Sequence, residues 1–184
     1  MEHGTIFGGF GGQGILFAGQ ILAQAAIIDD LTTSWMPSYG PEMRGGTASC
    51  TVIVADRPIG SPIIDAADSL LALNPPSMAK FEPLLKPGGL LVVNSTLIEA
   101  LPRRTDVEIV EVPCTALARA AGADRLVSIV ALGALLARRP VVSPDSVRQA
   151  LTEMAGHHHP ELLGPNLEAF ASGLAGARTA TSRT

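Results

Sequence analysis

Charge and aromatic rings are both scarce in this sequence. Of 184 residues, only 16% are Asp, Glu, Lys or Arg and 4% are Phe, Trp or Tyr. A formal net charge of −4 leaves no surplus of Lys and Arg for a phosphate backbone, which excludes a nucleic-acid reader. Cysteine is nearly absent as well. Cys50 and Cys114 stand far apart in the chain, too few for a secreted disulfide framework and short of the cysteine quartet that usually holds an iron–sulfur cluster, so a reducing, cytoplasmic setting is expected. From His3 to Ile28 there is no charged residue at all. That run is neither a membrane span nor a signal peptide, because seven glycines fall between Gly4 and Gly19, Gln13, Gln20 and Gln24 interrupt the rest, and no basic segment precedes it. A second apolar run, Leu126–Ala137, is too short to cross a bilayer and reads as a buried helix. No membrane association is expected.

What is present is a core-forming composition. Apolar residues make up 47% of the chain, enough for one domain over residues 1–184, with residues 178–184 as a frayed tail. A mean hydropathy of +0.32 with so little charge suggests that partners cover part of the surface. Thr5–Gly8 reads as a short buried strand, Gly14–Ile28 as a helix, Thr32–Trp35 as a further strand candidate, and Ala48–Ala55 as a β-branched strand closed by Asp56-Arg57-Pro58. Ser69–Leu73 is an apolar run ended by Asn74-Pro75-Pro76. Met78–Leu85 has helical spacing, and Lys86-Pro87-Gly88-Gly89 forces a turn before the strand Leu90–Asn94. Val107–Pro113 supplies one more strand. Beyond it the spacing turns helical over Thr115–Ala121, Leu126–Ala137, Pro144–Met154 and Pro165–Leu174, with prolines in the first turns of the last two. Strands buried on both faces and interleaved with helices predict an α/β fold. It is a single three-layer Rossmann-like domain with a mostly parallel sheet and a helical C-terminal part.

Two segments carry functional signals. Gly9-Phe10-Gly11-Gly12-Gln13-Gly14 fits G-x-G-x-x-G between a strand and a helix. There glycines permit a tight turn, close ligand approach and helix–strand packing, while the helix N-terminus offers unpaired N–H groups to an anion. A turn kept for packing or for docking another subunit fits the same residues. A dinucleotide site would also want an acid at the end of the second strand, whereas Asp29 and Asp30 fall at the end of the helix. The second segment, Trp35–Gly46, holds the only Trp and the only Tyr of the chain. In it Tyr39, Gly40, Glu42, Arg44, Gly45 and Gly46 make a plausible ligand or interface loop. Arg44 can present a planar fork to a carboxylate or phosphate, Glu42 can orient it, and the glycines clear the approach. A Glu42–Arg44 pair that merely fixes a bend is the plainer alternative.

Other groups offer less. His157-His158-His159 before Pro160 reads as a solvated turn rather than a metal site. Asp65 and Asp68 read as turn and cap residues rather than an acid/base pair, and nothing near Cys50 or Cys114 would activate a thiol. No catalytic residue and no metal ligand is assigned.

The segments GFGGQGILFAGQILAQAA (Gly9–Ala26), SYGPEMRGGTASC (Ser38–Cys50), SPIIDAADSLLALN (Ser61–Asn74), KPGGLLVVNS (Lys86–Ser95) and SIVALGAL (Ser128–Leu135), followed by Asn166-x-x-Ala169-Phe170-x-x-Gly173, occur in this order. Together they resemble the gamma subunit of 2-oxoacid:ferredoxin oxidoreductases, over most of the chain. The resemblance implies a subunit, inactive alone, of an enzyme that oxidatively decarboxylates a 2-oxoacid such as pyruvate, 2-oxoglutarate, a branched-chain oxoacid or indolepyruvate. Coenzyme A takes the acyl group and ferredoxin the electrons. It further implies thiamine diphosphate with Mg between alpha and beta subunits, and iron–sulfur clusters in beta or a ferredoxin-like delta subunit. The gamma component packs on these and bears on coenzyme A access. Two other classes remain open from the residues: a stand-alone nucleotide- or coenzyme-A-binding module, and a small NAD(P)-dependent reductase.

Overall fold

A computed structural model describes residues 1–39, 47–99, 102–156 and 160–179. The sheet is built on β1 (Glu2–Phe10), which pairs antiparallel with β3 (Thr47–Ala55) and parallel with β4 (Ala67–Ala72). Beyond β3 lies β2 (Thr32–Tyr39), antiparallel. Beyond β4 lie β5 (Leu85–Asn94) and β6 (Glu108–Val112), both parallel, giving the order β2-β3-β1-β4-β5-β6. The period of two sorts the side chains. Phe7 lies opposite Cys50 and Leu71 on one face, and Ile6 opposite Thr51 and Leu70 on the other. In β5, Leu90 and Val92 join one core cluster while Leu91 and Val93 join a second, and all four are buried, as a strand covered on both faces requires.

The two covering layers are unequal. α1 (Ile15–Ile28), α3 (Cys114–Ala120), α4 (Val127–Arg138) and α6 (Leu163–Thr179) form the larger cluster with one face, and α5 (Pro144–Gly156) packs against α1 and α6. The other face receives α2 (Pro75–Phe81), the 3-10 turn Glu82–Leu84 and Ile64. α4 is buried over ten of its twelve residues. It approaches α6 so closely that a Cβ on Gly133 would overlap the Phe170 carbonyl oxygen, and one on Gly173 would overlap that of Val130.

The mostly parallel sheet is as expected, with three of its five strand pairings parallel and the β2–β3 and β3–β1 pairings antiparallel. Several other expectations need correction. β2 runs on through Tyr39, which turns Trp35–Tyr39 from loop into strand by pairing with β3. Asn74-Pro75-Pro76 ends the apolar run as expected, and Pro75-Pro76 also starts the next helix, ahead of the expected Met78. Asn74 caps it, and the prolines fill first-turn positions where an N–H has no helical partner. Lys86–Gly89 does not interrupt the chain as a turn. It lies inside β5, beside a shift of register against β4, with Gly88 at φ 73° absorbing the irregularity. Helix α6 extends through Thr179, so residues 178 and 179 belong to it; the rest of the expected tail lies outside the described residues.

Candidate functional site

The carboxyl ends of β1, β4 and β5 open onto the starts of α1, α2, α3 and α4, the crevice where open α/β sheets bind ligands. The glycine turn forms its rim. Gln13 N donates to the Phe10 carbonyl at 3.2 Å, and the Phe10 N–H donates to Gln13 Oε1 at 2.7 Å, so the Gln13 side chain closes the turn upon itself. Gln13 is therefore a structural clasp, with its acceptor already engaged.

The glycines divide by what their surroundings demand. A Cβ on Gly9 would lie 2.6 Å from both Gln13 Oε1 and Ile15 Cδ1. Gly12 sits at φ 90° and Gly14 at φ 75°, a region costly for residues with a Cβ. A Cβ on Gly14 would also lie 2.5 Å from the Arg125 carbonyl oxygen and 2.8 Å from Ser128 Oγ, at the start of α4. Gly11 differs: it is exposed, outside the positive-φ set, and an added Cβ would meet nothing within 4 Å.

The start of α1 is electrostatically open. Gly14 supplies no side-chain cap and the first turn contains no acid; the first helical hydrogen bond is Ala18 N to the Gly14 carbonyl at 3.0 Å. The N–H groups before it and the positive end of the helix dipole suit a phosphate or carboxylate. α2 offers no equivalent, because Pro75 and Pro76 carry no N–H and Asn74 Oδ1 accepts from Ser77 N at 2.8 Å. At the end of β5, buried Asn94 accepts from Thr115 N and donates to Thr115 Oγ1 and the Leu73 carbonyl, at 3.2, 2.9 and 3.1 Å, joining α3 to the sheet.

Sequence reasoning missed Ser128, Arg125, Asn74, Asn94 and Thr115 as residues shaping this crevice. Asn74 had a readable signal, an Asn followed by two prolines, which is a helix start. Asn94 was visible only as the polar end of an apolar strand, and the approach of Arg125 and Ser128 to Gly14 is a tertiary contact. The backbone of Tyr39 ends β2, while Gly40, Glu42, Arg44, Gly45 and Gly46 lie outside the described residues, as do His157, His158 and His159.

The remaining candidates have structural partners. Asp68 is a strand residue, not a cap: its carboxylate accepts from Gly4 N at 2.7 Å and from Lys86 Nζ at 2.8 Å. Asp29 accepts from Ser143 N at 2.6 Å and from Ser146 Oγ, tying α1 to the start of α5 and leaving it no ribose to hold. His3 Nε2 lies 2.9 Å from Ser69 Oγ, toward the amino ends of the strands, and burial lowers its pKa. Burial pushes the thiols of Cys50 and Cys114 up to about 12, opposite to what a nucleophile or cluster ligand needs. Among the described residues, no group of three or more His, Cys, Asp or Glu could hold a metal ion. No helix among them is long and apolar enough to cross a membrane.

Residues 5–176 match the family described as pyruvate ferredoxin/flavodoxin oxidoreductase. The chain is 38% identical over 172 residues to ketoisovalerate oxidoreductase subunit VorA of Methanothermobacter thermautotrophicus, a match that covers 92% of this chain but only 35% of that one. It thus spans about a third of the length of that relative. It is 35% identical over 169 residues to 2-oxoglutarate synthase subunit KorC of Methanocaldococcus jannaschii, covering 90% of this chain and 88% of the relative. The crystal structure of a keto/oxoacid ferredoxin oxidoreductase gamma subunit from Geobacter sulfurreducens superimposes with a TM-score of 0.87 at 33% identity, over 98% of each chain.

Proposed function

Because the chain belongs to the pyruvate ferredoxin/flavodoxin oxidoreductase family, we propose that it is the gamma-type subunit of a multisubunit 2-oxoacid:ferredoxin oxidoreductase. The observation that carries this is the near full-length match to KorC and to the gamma subunit fold, which account for almost the whole domain rather than for a shared nucleotide-binding motif. In this reading the enzyme converts a 2-oxoacid and coenzyme A into an acyl-CoA with reduction of ferredoxin, in the cytoplasm. The isolated chain is inactive.

In this reading thiamine diphosphate with Mg and the iron–sulfur clusters belong to alpha, beta and ferredoxin-like delta subunits. The buried thiols of Cys50 and Cys114 are consistent with that division. Coenzyme A, the acyl acceptor, is a polyanion. The uncapped N–H groups at the start of α1 hold one of its phosphates, and bare Gly11 lets that group reach the backbone of the turn. Tyr39, Gly40, Glu42, Arg44, Gly45 and Gly46 contribute to the same approach.

The test is anaerobic copurification of the tagged chain with its neighbouring subunits, followed by coenzyme-A-dependent reduction of a viologen dye with pyruvate, 2-oxoglutarate, ketoisovalerate and indolepyruvate. Copurified subunits with activity support the proposal, and the best substrate names the enzyme. A chain that elutes alone and inert refutes it, and saturable micromolar NAD(P) binding by such a chain moves it to the reductase class.

A further inference from the structure

Helices α1 and α4 begin side by side. α1 follows β1 and so starts at the carboxyl ends of the strands. α4 starts there too, because Arg138 and Arg139 at its far end bond Glu108 and the Gly88 carbonyl, near the amino ends of β6 and β5. The two starts meet where Gly14 faces the Arg125 carbonyl and Ser128 Oγ. Two positive dipole ends therefore lie together at the rim of the crevice. Neither is offset, since α1 and α4 both lack a side-chain cap and an acid in the first turn.

Two side chains at this junction add to the imbalance. Ser128 Oγ, in the first turn of α4, is fully buried against Gly14 and has no hydrogen-bond partner, whereas buried hydroxyls are normally paired. Arg125 is exposed and lies in the 3-10 turn Asp124–Leu126 that leads into α4, the end of a helix dipole that disfavours a cation. Arg57, Arg104, Arg119, Arg138, Arg139 and Arg148 each meet a carboxylate. Arg125 meets none among the described residues, and the adjoining acid, Asp124, is taken by Arg119 at 2.7 Å. An unpaired guanidinium, a buried hydroxyl without a partner and two open helix ends converge on one spot, and an anion there satisfies all of them.

We propose that Arg125 and Ser128 are coenzyme-A-binding residues, whose guanidinium and hydroxyl donate to the same phosphate that the start of α1 receives. The inference rests on the coenzyme A reading above and adds the side chains that make an open helix end selective. The Arg125 carbonyl already abuts Gly14, so the arginine springs from the wall of the turn and its long side chain reaches a group bound there. Its planar fork holds phosphate oxygens in pairs, with a geometry that a helix end alone does not impose. The Ser128 hydroxyl gains from the ligand the acceptor that the fold does not give it.

The test uses the reconstituted complex and reads kcat, the KM for the 2-oxoacid and the KM for coenzyme A, with dephospho-coenzyme A as a second acceptor. Arg125→Ala should raise the KM for coenzyme A about tenfold. The other two constants should hold, and the isolated chain should melt no lower than wild type. Arg125→Lys, which keeps the charge without the fork, should recover part of the loss. Arg103→Ala removes an exposed cation from the segment leading into the amino end of β6 and should change nothing, which separates a contact from an effect of net charge. Ser128→Ala should raise the same KM without lowering the melting temperature, because the hydroxyl it removes has no partner in the fold. A loss confined to coenzyme A places the contact on its 3′-phosphate, and an equal loss with dephospho-coenzyme A places it on the diphosphate; either supports the proposal. A wild-type KM for Arg125→Ala, where Gly11→Ala raises it, overturns the assignment of Arg125 and leaves the coenzyme A reading in place. A Ser128→Ala chain that melts lower with an unchanged KM makes that hydroxyl a packing group and overturns its part. If neither Arg125→Ala nor Gly11→Ala moves the KM, the coenzyme A reading falls as well.

Discussion

Alanine at Gly14 and alanine at Gly11, three positions apart in one turn, should have opposite consequences. At Gly14, φ is 75°, and moving an L-residue with a Cβ into that region costs about 1–2 kcal/mol. The new methyl would lie 2.5 Å from the Arg125 carbonyl oxygen and 2.8 Å from Ser128 Oγ. Relieving that overlap pushes α1 from α4 and adds about 1–3 kcal/mol. The sum is about 2–5 kcal/mol, and at about 2–4 °C per kcal/mol for a domain of this size, Gly14→Ala should lower the melting temperature by roughly 4–20 °C. At Gly11 the added methyl meets nothing within 4 Å and no positive φ is involved, so stability should stay within about 0.5 kcal/mol of wild type. Gly11→Ala should instead raise the KM for coenzyme A in the reconstituted complex, with the isolated chain melting normally. Thermal unfolding of both variants, set beside the coenzyme A dependence of viologen reduction, separates the effects. A Gly14→Ala chain melting within a degree of wild type would refute the packing reasoning. A Gly11→Ala complex with an unchanged KM would show that the bare position serves no ligand.

Asn94→Ala should cost about 2–4 kcal/mol, because it removes three recorded hydrogen bonds and leaves the buried Thr115 N–H and Leu73 carbonyl short of a partner; chemical denaturation measures it. Burial holds the folded-state pKa of His3 below its ordinary 6.5, against the opposing pull of Asp68 and with Arg139 and Lys86 adding to the depression. The unfolded chain therefore takes up a proton there first as pH falls, so stability decreases on acidification through about pH 6.5 and below. His3→Gln should flatten that part of the curve of unfolding free energy against pH. Cys50 and Cys114, buried and pushed up to about 12, should be silent to a thiol reagent at pH 8 in the native chain and react fully in denaturant. A native chain that reacts at once would contradict their placement.

Local pattern carried the strands and helices whose signals are local. The β-branched run through Val52–Val54, the double-sided burial of Leu90–Val93 and the uncharged Leu126–Ala137 helix each follow from spacing and composition; the first and last lie within a residue or two of their expected bounds, while the strand holding Leu90–Val93 starts earlier, at Leu85. What escaped were features decided by neighbours. Met36-Pro37-Ser38 has no strand propensity to speak of, yet it is strand because β3 offers a ladder beside it. Gly88-Gly89 reads as a break, yet it is carried inside a strand by the shifted register against β4. The glycine turn was legible as a motif, but its inner logic was not. Nothing local says that Gln13 would spend its side-chain oxygen on Phe10, or that Gly14 is reserved for the start of α4, since both depend on where the chain returns.

Subtracting what the fold itself demands sharpens the functional assignment. Gly9, Gly12 and Gly14 are each required by a backbone angle or by a neighbouring atom, so their presence says nothing about ligands. Gly11 is left over, and so is the missing charge on the outer side of α1, because neither makes the isolated domain more stable. Replacing Ile27 by Lys, for example, would cost the isolated chain little. The two leftovers adjoin in the chain: Gly11 lies in the turn leading into that same uncharged helix. On the reading proposed above, a coenzyme A phosphate at the start of α1 is bound in the assembled enzyme, and its affinity there differs from that for the isolated chain. The coupling this implies is reciprocal. Coenzyme A should tighten the hold of the partner on this chain, and loss of the partner should weaken coenzyme A binding by the same factor. Titrating coenzyme A into the complex while following dissociation on dilution measures it. Dissociation independent of coenzyme A would separate the two surfaces.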